Sequence, residues 1–173
     1  MRFLLIRPAI DSESTARRLQ QKQFDVHMDP LLTVQPLACD PIIFDKYQSL
    51  IFTSSNAIRV YDYPNSAKSI KAFAVGKKTA EMAQNHGFKH VISADGDVNK
   101  LSKTIRSSLK QKDGPLLYLS GVDIAGSLQA DLLREQFDVD LKKIYRVDAA
   151  KNLDPKTVSF LKNDEIDYIP FYS

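Results

Sequence analysis

The chain has 173 residues, of which 43% are hydrophobic and 26% charged, a balance typical of a globular protein that forms its own core. Its net charge of +3 comes from scattered Lys and Arg residues, which excludes a basic nucleic-acid-binding block but is compatible with an anionic ligand. The single cysteine, Cys39, excludes an internal disulfide framework and favours the cytoplasm, and no apolar run approaches the ~20 residues of a membrane span.

Apolar runs suited to buried parallel strands alternate with polar segments of helical spacing. In chain order, the predicted elements are a strand at 3–6, a helix at 12–23, strands at 49–52 and 72–75, a helix at 77–86, a strand at 90–92, a helix at 97–109, a strand at 116–119, helices at 127–136 and 155–162, and a strand at 167–171. This alternation predicts an α/β fold with parallel sheets and right-handed crossovers.

An internal repeat is the most informative feature of the sequence. The segments that start at Phe3 and at Leu116 match at a constant offset of 113 residues and share the tripeptide Phe-Asp-Val. The match resumes with a slightly longer offset between the segments that end at Ser54 and at Ser173. Each copy reads as a strand, a helix, a strand with a long extended tail, and a further strand that ends in a hydroxyl residue. The alternative is a coincidence between two ordinary βαβ units.

The repeat predicts two α/β domains, one inserted in the other. The extended tails at 31–37 and 142–149 each leave one α/β unit and enter the next. We therefore expect a first domain of residues 1–33 plus 148–173, a second domain of residues 38–141, and linkers at 34–37 and 142–147, with a cleft between the domains. Because the first copy continues past Ser54 whereas the second stops at Ser173, we also expect the C-terminal part of the first domain to be missing.

Polar and glycine residues recur directly after the predicted strands, where ligands bind in open parallel sheets. Backbone N–H groups and short hydroxyl side chains at such positions suit carboxylate or phosphate groups. The alternative is that Ser54, Ser55, Asn56 and Thr79 only cap helices. The candidate residues are Arg7, Pro8, Thr53, Ser54, Ser55, Asn56, Gly76, Thr79, Ser120, Gly121 and Ser173.

Several sharper signals are missing. There is no glycine-rich nucleotide motif, and the two histidines His86 and His90 are separated by a helix-ending glycine, so we expect no metal site. Asp97 is expected to cap a helix rather than bind a cation. Tyr145 is an aromatic hydroxyl on the second predicted crossing, where packing of its ring is the alternative to a chemical role.

These residues carry a resemblance over essentially the whole chain. The landmarks are Arg7-Pro8, the run from Phe52 to Ala57, the run from Ala74 to Ala80 followed by Gly87-Phe88, the run from Leu117 to Gly121, Ile144-Tyr145, and the run from Ile166 to Ser173. In this order they resemble the uroporphyrinogen-III synthases. The resemblance implies two flavodoxin-like parallel-sheet domains, joined by a two-stranded extended linker, in a monomeric cytoplasmic lyase of heme biosynthesis.

The resemblance also implies the chemistry. The family closes hydroxymethylbilane, a linear tetrapyrrole with eight carboxylates, into a ring with loss of water and inversion of the last pyrrole, and it uses neither cofactor nor metal. Tyr145 matches the family's tyrosine on the crossing and is the candidate general acid, while the strand-end residues are candidates for holding the substrate. The chain ends before the family's second glycine-threonine segment, so an inactive fragment is one expectation.

Two other functions remain open on the sequence alone. A non-catalytic two-domain protein that closes on a small anion around a hinge would use the same strand-end donors and would not need Tyr145. A single flavodoxin-like or receiver-like regulatory module is the third possibility, against which the repeat and the two crossings argue. The small-molecule interpretations require neither nucleic acid nor membrane as a partner.

Overall fold

A computed structural model describes residues 1–171 of the chain. Its strands and helices alternate, and short 3₁₀ turns occupy Phe44–Lys46 and Gln111–Asp113. The elements are β1 Arg2–Leu5, α1 Ala9–Gln21, β2 Asp25–Met28, β3 Leu32–Pro36, β4 Ser49–Phe52, α2 Ser55–Val60, α3 Asn65–Lys68, β5 Lys71–Ala74, α4 Lys77–Asn85, β6 Val91–Ser93, α5 Val98–Ser108, β7 Leu116–Gly121, α6 Leu128–Arg134, β8 Val139–Ala149 and α7 Pro155–Lys162.

The chain divides into two compact units. Unit 1 comprises Met1–Val34 and the segment from Val147 onward, and unit 2 comprises Gln35–Arg146. The strands β3 and β8 contain the two boundaries and pair with each other. Among residues 1–171, no helix combines the length and apolar character needed to span a membrane.

A sheet with the strand order β3-β8-β7-β4-β5-β6 forms the centre of unit 2. The pairs β8–β7, β7–β4, β4–β5 and β5–β6 are all parallel, so the expected parallel α/β architecture is confirmed. Every residue of β4 and β7 is buried, which explains the apolar runs at 50–52 and 116–119 within them. Each fully buried side chain such as Leu50, Ile51 or Phe52 contributes roughly 1.5–3 kcal/mol through removal of apolar surface from water.

Helix α5 illustrates how the sequence builds a layer on this sheet. Asp97 caps it, because its Oδ1 accepts a hydrogen bond from the N–H of Lys100 at 2.9 Å, as predicted. Leu101 and Ile105 lie four residues apart on one stripe, and both are fully buried in the core cluster that includes Phe73 of β5. The periodic stripe therefore places the helix against the sheet and leaves its polar face outward.

Unit 1 has a smaller sheet. Strands β1 and β2 pair in parallel, and the chain near Tyr168 adds an isolated parallel bridge to Phe3. The predicted strand at 167–171 is therefore wrong as a strand: only Tyr168 reaches the ladder. Pro170 accounts for this, because proline has no N–H to donate and interrupts the hydrogen bonds that would extend the strand.

Candidate functional site

Hydroxyl side chains meet in a cavity at the carboxyl ends of the central strands of unit 2. The cavity has a volume of about 220 Å³ and lies beyond β4 and β7, as expected for a parallel sheet. None of the described residues that line it is a lysine or an arginine. Its polar lining residues are Thr53, Ser54, Tyr118, Ser120, Asp123 and Tyr145.

A hydroxyl pair joins the ends of two strands at this cavity. Thr53 follows β4 and Tyr118 lies on β7, and their hydroxyl oxygens are 3.0 Å apart. Only one of the two hydroxyl protons is used in this hydrogen bond, so the other remains free to be donated to a ligand. Burial raises the pKa of Tyr118, and the hydrogen bond with Thr53 acts in the opposite direction. Tyr118 is 1% exposed, so its phenol stays protonated at neutral pH.

Tyr145 enters the same cavity from β8. Its ring lies against Gly121, which pairs with it across the β7–β8 ladder. Only 7% of the residue is exposed, and its hydroxyl forms no hydrogen bond to any residue of the 1–171 region. A phenol that has no protein partner but borders a cavity is available to a bound ligand.

The serines of the site differ in what they can donate. Ser54 caps α2, because its Oγ accepts a hydrogen bond from the N–H of Asn56 at 3.2 Å, and its own proton remains available. Ser120 already donates its proton to the carbonyl oxygen of Gly121 at 2.9 Å. Ser54 is therefore the better donor to an anionic group, and Ser120 offers mainly an acceptor.

Four other predicted residues of unit 2 lie outside the lining. Ser55 and Asn56 form the first turn of α2, where the Oδ1 of Asn56 accepts a long hydrogen bond of 3.4 Å from Arg59. Thr79 is buried in α4. Gly76 precedes α4 as its N-cap, with no atom within 4 Å of the position that a Cβ would take. Of the four residues in the capping alternative, only Ser54 caps a helix, whereas Ser55, Asn56 and Thr79 lie inside helices. Val75, just before Gly76, lines the cavity.

Arg7 and Pro8 line a different groove, within unit 1. It has a volume of about 510 Å³, and most of its lining is apolar, including Leu31 and Phe171. The guanidinium of Arg7 lies 3.6 Å from the carboxylate of Asp11 one helical turn away. Ser173, the remaining predicted binding residue, lies outside the described residues.

A third groove, of about 440 Å³, lies between α5 and α6 and is lined by both basic and acidic residues. Its arginines already have carboxylate partners: Arg106 contacts Glu135 at 2.5 Å, and Arg134 contacts Asp131 at 2.7 Å. Among residues 1–171, no three side chains of His, Cys, Asp or Glu are grouped closely enough to hold a metal ion.

Sequence reasoning missed Tyr118 and Asp123. Tyr118 falls within the predicted strand at 116–119 and within a landmark run, and it is not among the candidate site residues. It lies two residues before Ser120 and therefore on the same face of β7. That spacing was visible in the sequence. Asp123 lies in the loop after β7, and no sequence signal distinguishes it from other loop aspartates.

The comparisons with known proteins agree with this architecture. The family model described as uroporphyrinogen-III synthase HemD matches residues 13–173. Among solved structures, uroporphyrinogen-III synthetase from Helicobacter pylori is similar with a TM-score of 0.59 and 20% identity, covering 90% of this chain and 66% of that one. A mutant uroporphyrinogen III synthase from Thermus thermophilus is similar with a TM-score of 0.56 and 15% identity, covering 98% of this chain and 71% of that one.

These structural similarities show a shared fold, and this chain spans about two thirds of the length of the Helicobacter pylori protein. No curated protein sequence matches the chain. The family model covers nearly the whole of it, in agreement with the resemblance of the strand-end motifs. The chain belongs to the uroporphyrinogen-III synthase family.

Proposed function

We propose that this chain acts as a uroporphyrinogen-III synthase, a lyase that closes hydroxymethylbilane into a ring, with inversion of the last pyrrole and loss of water, in heme biosynthesis. The observation that carries the proposal is the unpaired phenol of Tyr145 beside a hydroxyl-lined cavity at the strand ends, in a chain that belongs to this family. The only partner required is the small-molecule substrate. A monomeric, cytoplasmic protein is part of the same proposal, and the single exposed cysteine is compatible with it.

The cavity suits the reacting end of the substrate. A linear tetrapyrrole is much larger than 220 Å³, so the cavity takes one ring with its side chains and leaves the rest of the substrate outside. The absence of Lys and Arg from the described lining leaves carboxylate recognition there to the spare hydroxyl protons of Ser54 and of the Thr53–Tyr118 pair. Arg7, Pro8, Ser55, Asn56, Gly76, Thr79, Ser120, Gly121 and Ser173 remain predicted contacts of the substrate.

Tyr145 assists the first chemical step in this proposal. As the C–O bond of the terminal hydroxymethyl group breaks, the phenol donates its proton to the departing oxygen and water leaves. The pyrrole nitrogen gives up its own proton as the electrophilic azafulvene forms, and that proton replaces the one donated by Tyr145, so the substrate loses one water in total. The last pyrrole then attacks through its substituted carbon to give a spiro intermediate, and fragmentation followed by re-closure inverts that ring.

Holding the substrate matters more than acid strength. Hydroxymethylbilane loses its hydroxyl readily without a catalyst and closes directly to the type I isomer. The protein must therefore keep a flexible polyanion in the geometry for the inverted closure, which several modest donors achieve through orientation. A cavity lined mainly by hydroxyl groups, with Asp123 as the one acidic residue of its described lining, matches this requirement.

The test is a cyclisation assay with freshly generated hydroxymethylbilane, in which the products are oxidised and the type I and type III isomers are separated by chromatography. We expect the type III isomer from this chain and a rate at least about tenfold lower for Tyr145→Phe, which lacks the phenolic proton. Tyr61→Phe is the matched control, because Tyr61 belongs to an aromatic cluster with Phe44 and Tyr63 and does not line the cavity.

The outcomes separate the function from the role of the tyrosine. A full rate of type III formation by Tyr145→Phe would rule out the acid role and leave the synthase function intact. Only the type I isomer from the unaltered chain would contradict synthase activity of this chain and return attention to a hinge protein that binds a small anion.

A further inference from the structure

Gly121 leaves a gap that the ring of Tyr145 fills. An ideal Cβ on Gly121 would lie 2.7 Å from Cε2, 2.8 Å from Cζ and 3.2 Å from the hydroxyl oxygen of Tyr145. Real Cβ atoms essentially never approach another heavy atom within 3.0 Å. The atoms that would have to move are those at the phenolic end of Tyr145, the part that borders the cavity.

The backbone at Gly121 gives no other reason for a glycine. Gly87, Gly114 and Gly126 have positive φ angles, a conformation that side chains disfavour, whereas Gly121 does not. Gly121 is the last residue of β7 and continues its ladder with β8. An alanine could therefore adopt this backbone, and the close approach of Tyr145 is what excludes it.

A bulge in β8 brings Tyr145 opposite Gly121. The parallel register runs from Leu119–Lys142 through Ser120–Lys143 and then shifts, so that Gly121 pairs with Tyr145 instead of Ile144. The N–H of Val122 donates to the carbonyl oxygen of Tyr145 at 2.9 Å and holds this shifted pairing. Bulges commonly re-aim a side chain beside a functional site.

From these two features we infer that Gly121 is a positioning residue: its missing side chain, together with the bulge at Ile144, holds the phenol of Tyr145 at the cavity. Gly121 then acts through Tyr145, in addition to the substrate contact predicted from its place after a strand. The inference rests on the proposed function for its catalytic consequence, but the positioning is a property of the protein alone.

The first experiment therefore uses no substrate. The tyrosine rings are ¹³C-labelled, the NMR signal of Tyr145 is identified by its loss in Tyr145→Phe, and the spectrum of Gly121→Ala is compared with that of the unaltered chain. We expect the ring signals of Tyr145 to shift more than those of the other tyrosines. Gly96→Ala is the matched control, because the three atoms nearest to its Cβ would all belong to the flexible side chain of Lys100. An unshifted Tyr145 signal in a folded Gly121→Ala chain would overturn the inference.

A stability cycle covers the possibility that Gly121→Ala does not fold. In the Tyr145→Ala background the ring is gone, so the added methyl group has room and Gly121→Ala should fold with little further change in thermal midpoint. If the alanine at 121 is as harmful there as in the unaltered chain, the contact with Tyr145 is not the reason for the glycine and the inference fails.

A kinetic cycle then tests the consequence. Gly121→Ala should lower kcat by about tenfold to a hundredfold through misplacement of the phenol, with a smaller change in KM. In the Tyr145→Phe background the same substitution should lower kcat by less than about twofold, because the proton it misplaces is already absent. Equal factors in both backgrounds would contradict action through Tyr145. If the unaltered chain makes no type III isomer, the proposed function is wrong. The NMR and stability experiments would still decide whether Gly121 positions the phenol of Tyr145.

Discussion

The two copies of the internal repeat end their helices in the same way although they lie in different surroundings. Gln23 follows α1 and Gln136 follows α6, and the two have φ angles of 63° and 62°. The next residue donates its N–H to a carbonyl five positions back in both copies: Phe24 to Leu19 and Phe137 to Leu132, each at 3.1 Å. This is the Schellman arrangement, in which the left-handed residue allows the last helical carbonyls to be satisfied.

The two copies of the repeat differ in how deeply their residues are buried. Every residue of β7 is buried, and Leu132 of α6 is 0% exposed, whereas β1 is buried only at Leu4 and Leu5 and the equivalent Leu19 is half-buried. The difference follows from the neighbours: β7 lies inside a six-stranded sheet, while β1 pairs with β2 and an isolated bridge. Local sequence therefore determines how a helix ends, and tertiary packing determines how much each copy contributes to stability.

The largest expected effect comes from removing the equivalent leucines. Leu132→Ala should lower the free energy of unfolding by about 2–5 kcal/mol, because it leaves a cavity in a fully buried site. Leu19→Ala should cost about half as much, because its site is partly open to water and can relax. Urea denaturation followed by circular dichroism measures both, and equal losses would contradict the difference in burial.

A smaller effect, equal in the two copies, is expected at the helix ends. Gln23→Gly and Gln136→Gly should each raise the free energy of unfolding by about 1 kcal/mol, since glycine adopts the left-handed conformation without the steric cost of a Cβ. Gly87→Ala is the reverse control, because Gly87 ends α4 at a φ of 89° and should lose a similar amount. If the gains in free energy of unfolding at Gln23 and Gln136 differed as much as the losses at Leu19 and Leu132, tertiary packing would also determine the helix ends.

The sequence was sufficient where a single local rule decides the structure. The strand at 49–52 and the helix at 155–162 have the predicted bounds, and the other predicted helices and the strands before residue 120 start within three residues of the prediction. The sequence was not sufficient where pairing with another strand decides the structure. In the first copy of the repeat, the extended segment after Phe24 is interrupted at Pro30, between β2 and β3, whereas in the second copy β8 runs unbroken through the equivalent Lys143. The predicted last strand is reduced to one bridge at Tyr168.

The candidate site was only partly predictable for the same reason. The rule that ligands bind beyond parallel strands points to the edge of the sheet where Thr53, Ser54 and Gly121 line one cavity. The bulge that turns Tyr145 toward Gly121 depends on pairing between two strands, and a single sequence carries no register. The contribution of Tyr118 likewise depends on its hydrogen bond with Thr53.

The smallest expected effect concerns exposed charge networks, one in each unit. In unit 1, Arg2 contacts Asp25 at 2.6 Å and Glu165 at 2.7 Å and lies over the ring of Phe160. Its hydrogen bonds are the main cause that lowers the pKa of both carboxyl groups. In unit 2, the pKa of Asp140 is lowered first by the hydroxyl of Tyr47 and second by Lys46.

Because these pKa values are lowered, the networks stabilise the folded state at neutral pH, and that contribution is lost as the pH falls below about 4 and through the folded-state pKa values. We expect Arg2→Gln to raise the pKa of Asp25 toward its ordinary range, since Arg2 is its only side-chain donor among residues 1–171. Lys46→Gln should leave the pKa of Asp140 lowered, since Tyr47 still donates to its Oδ2 at 2.6 Å. Carboxyl ¹³C titration by NMR measures both values. If the pKa of Asp140 rose as far as that of Asp25, the ammonium and not the phenol would control the unit 2 network, and the two units would lose charge stabilisation alike in acid.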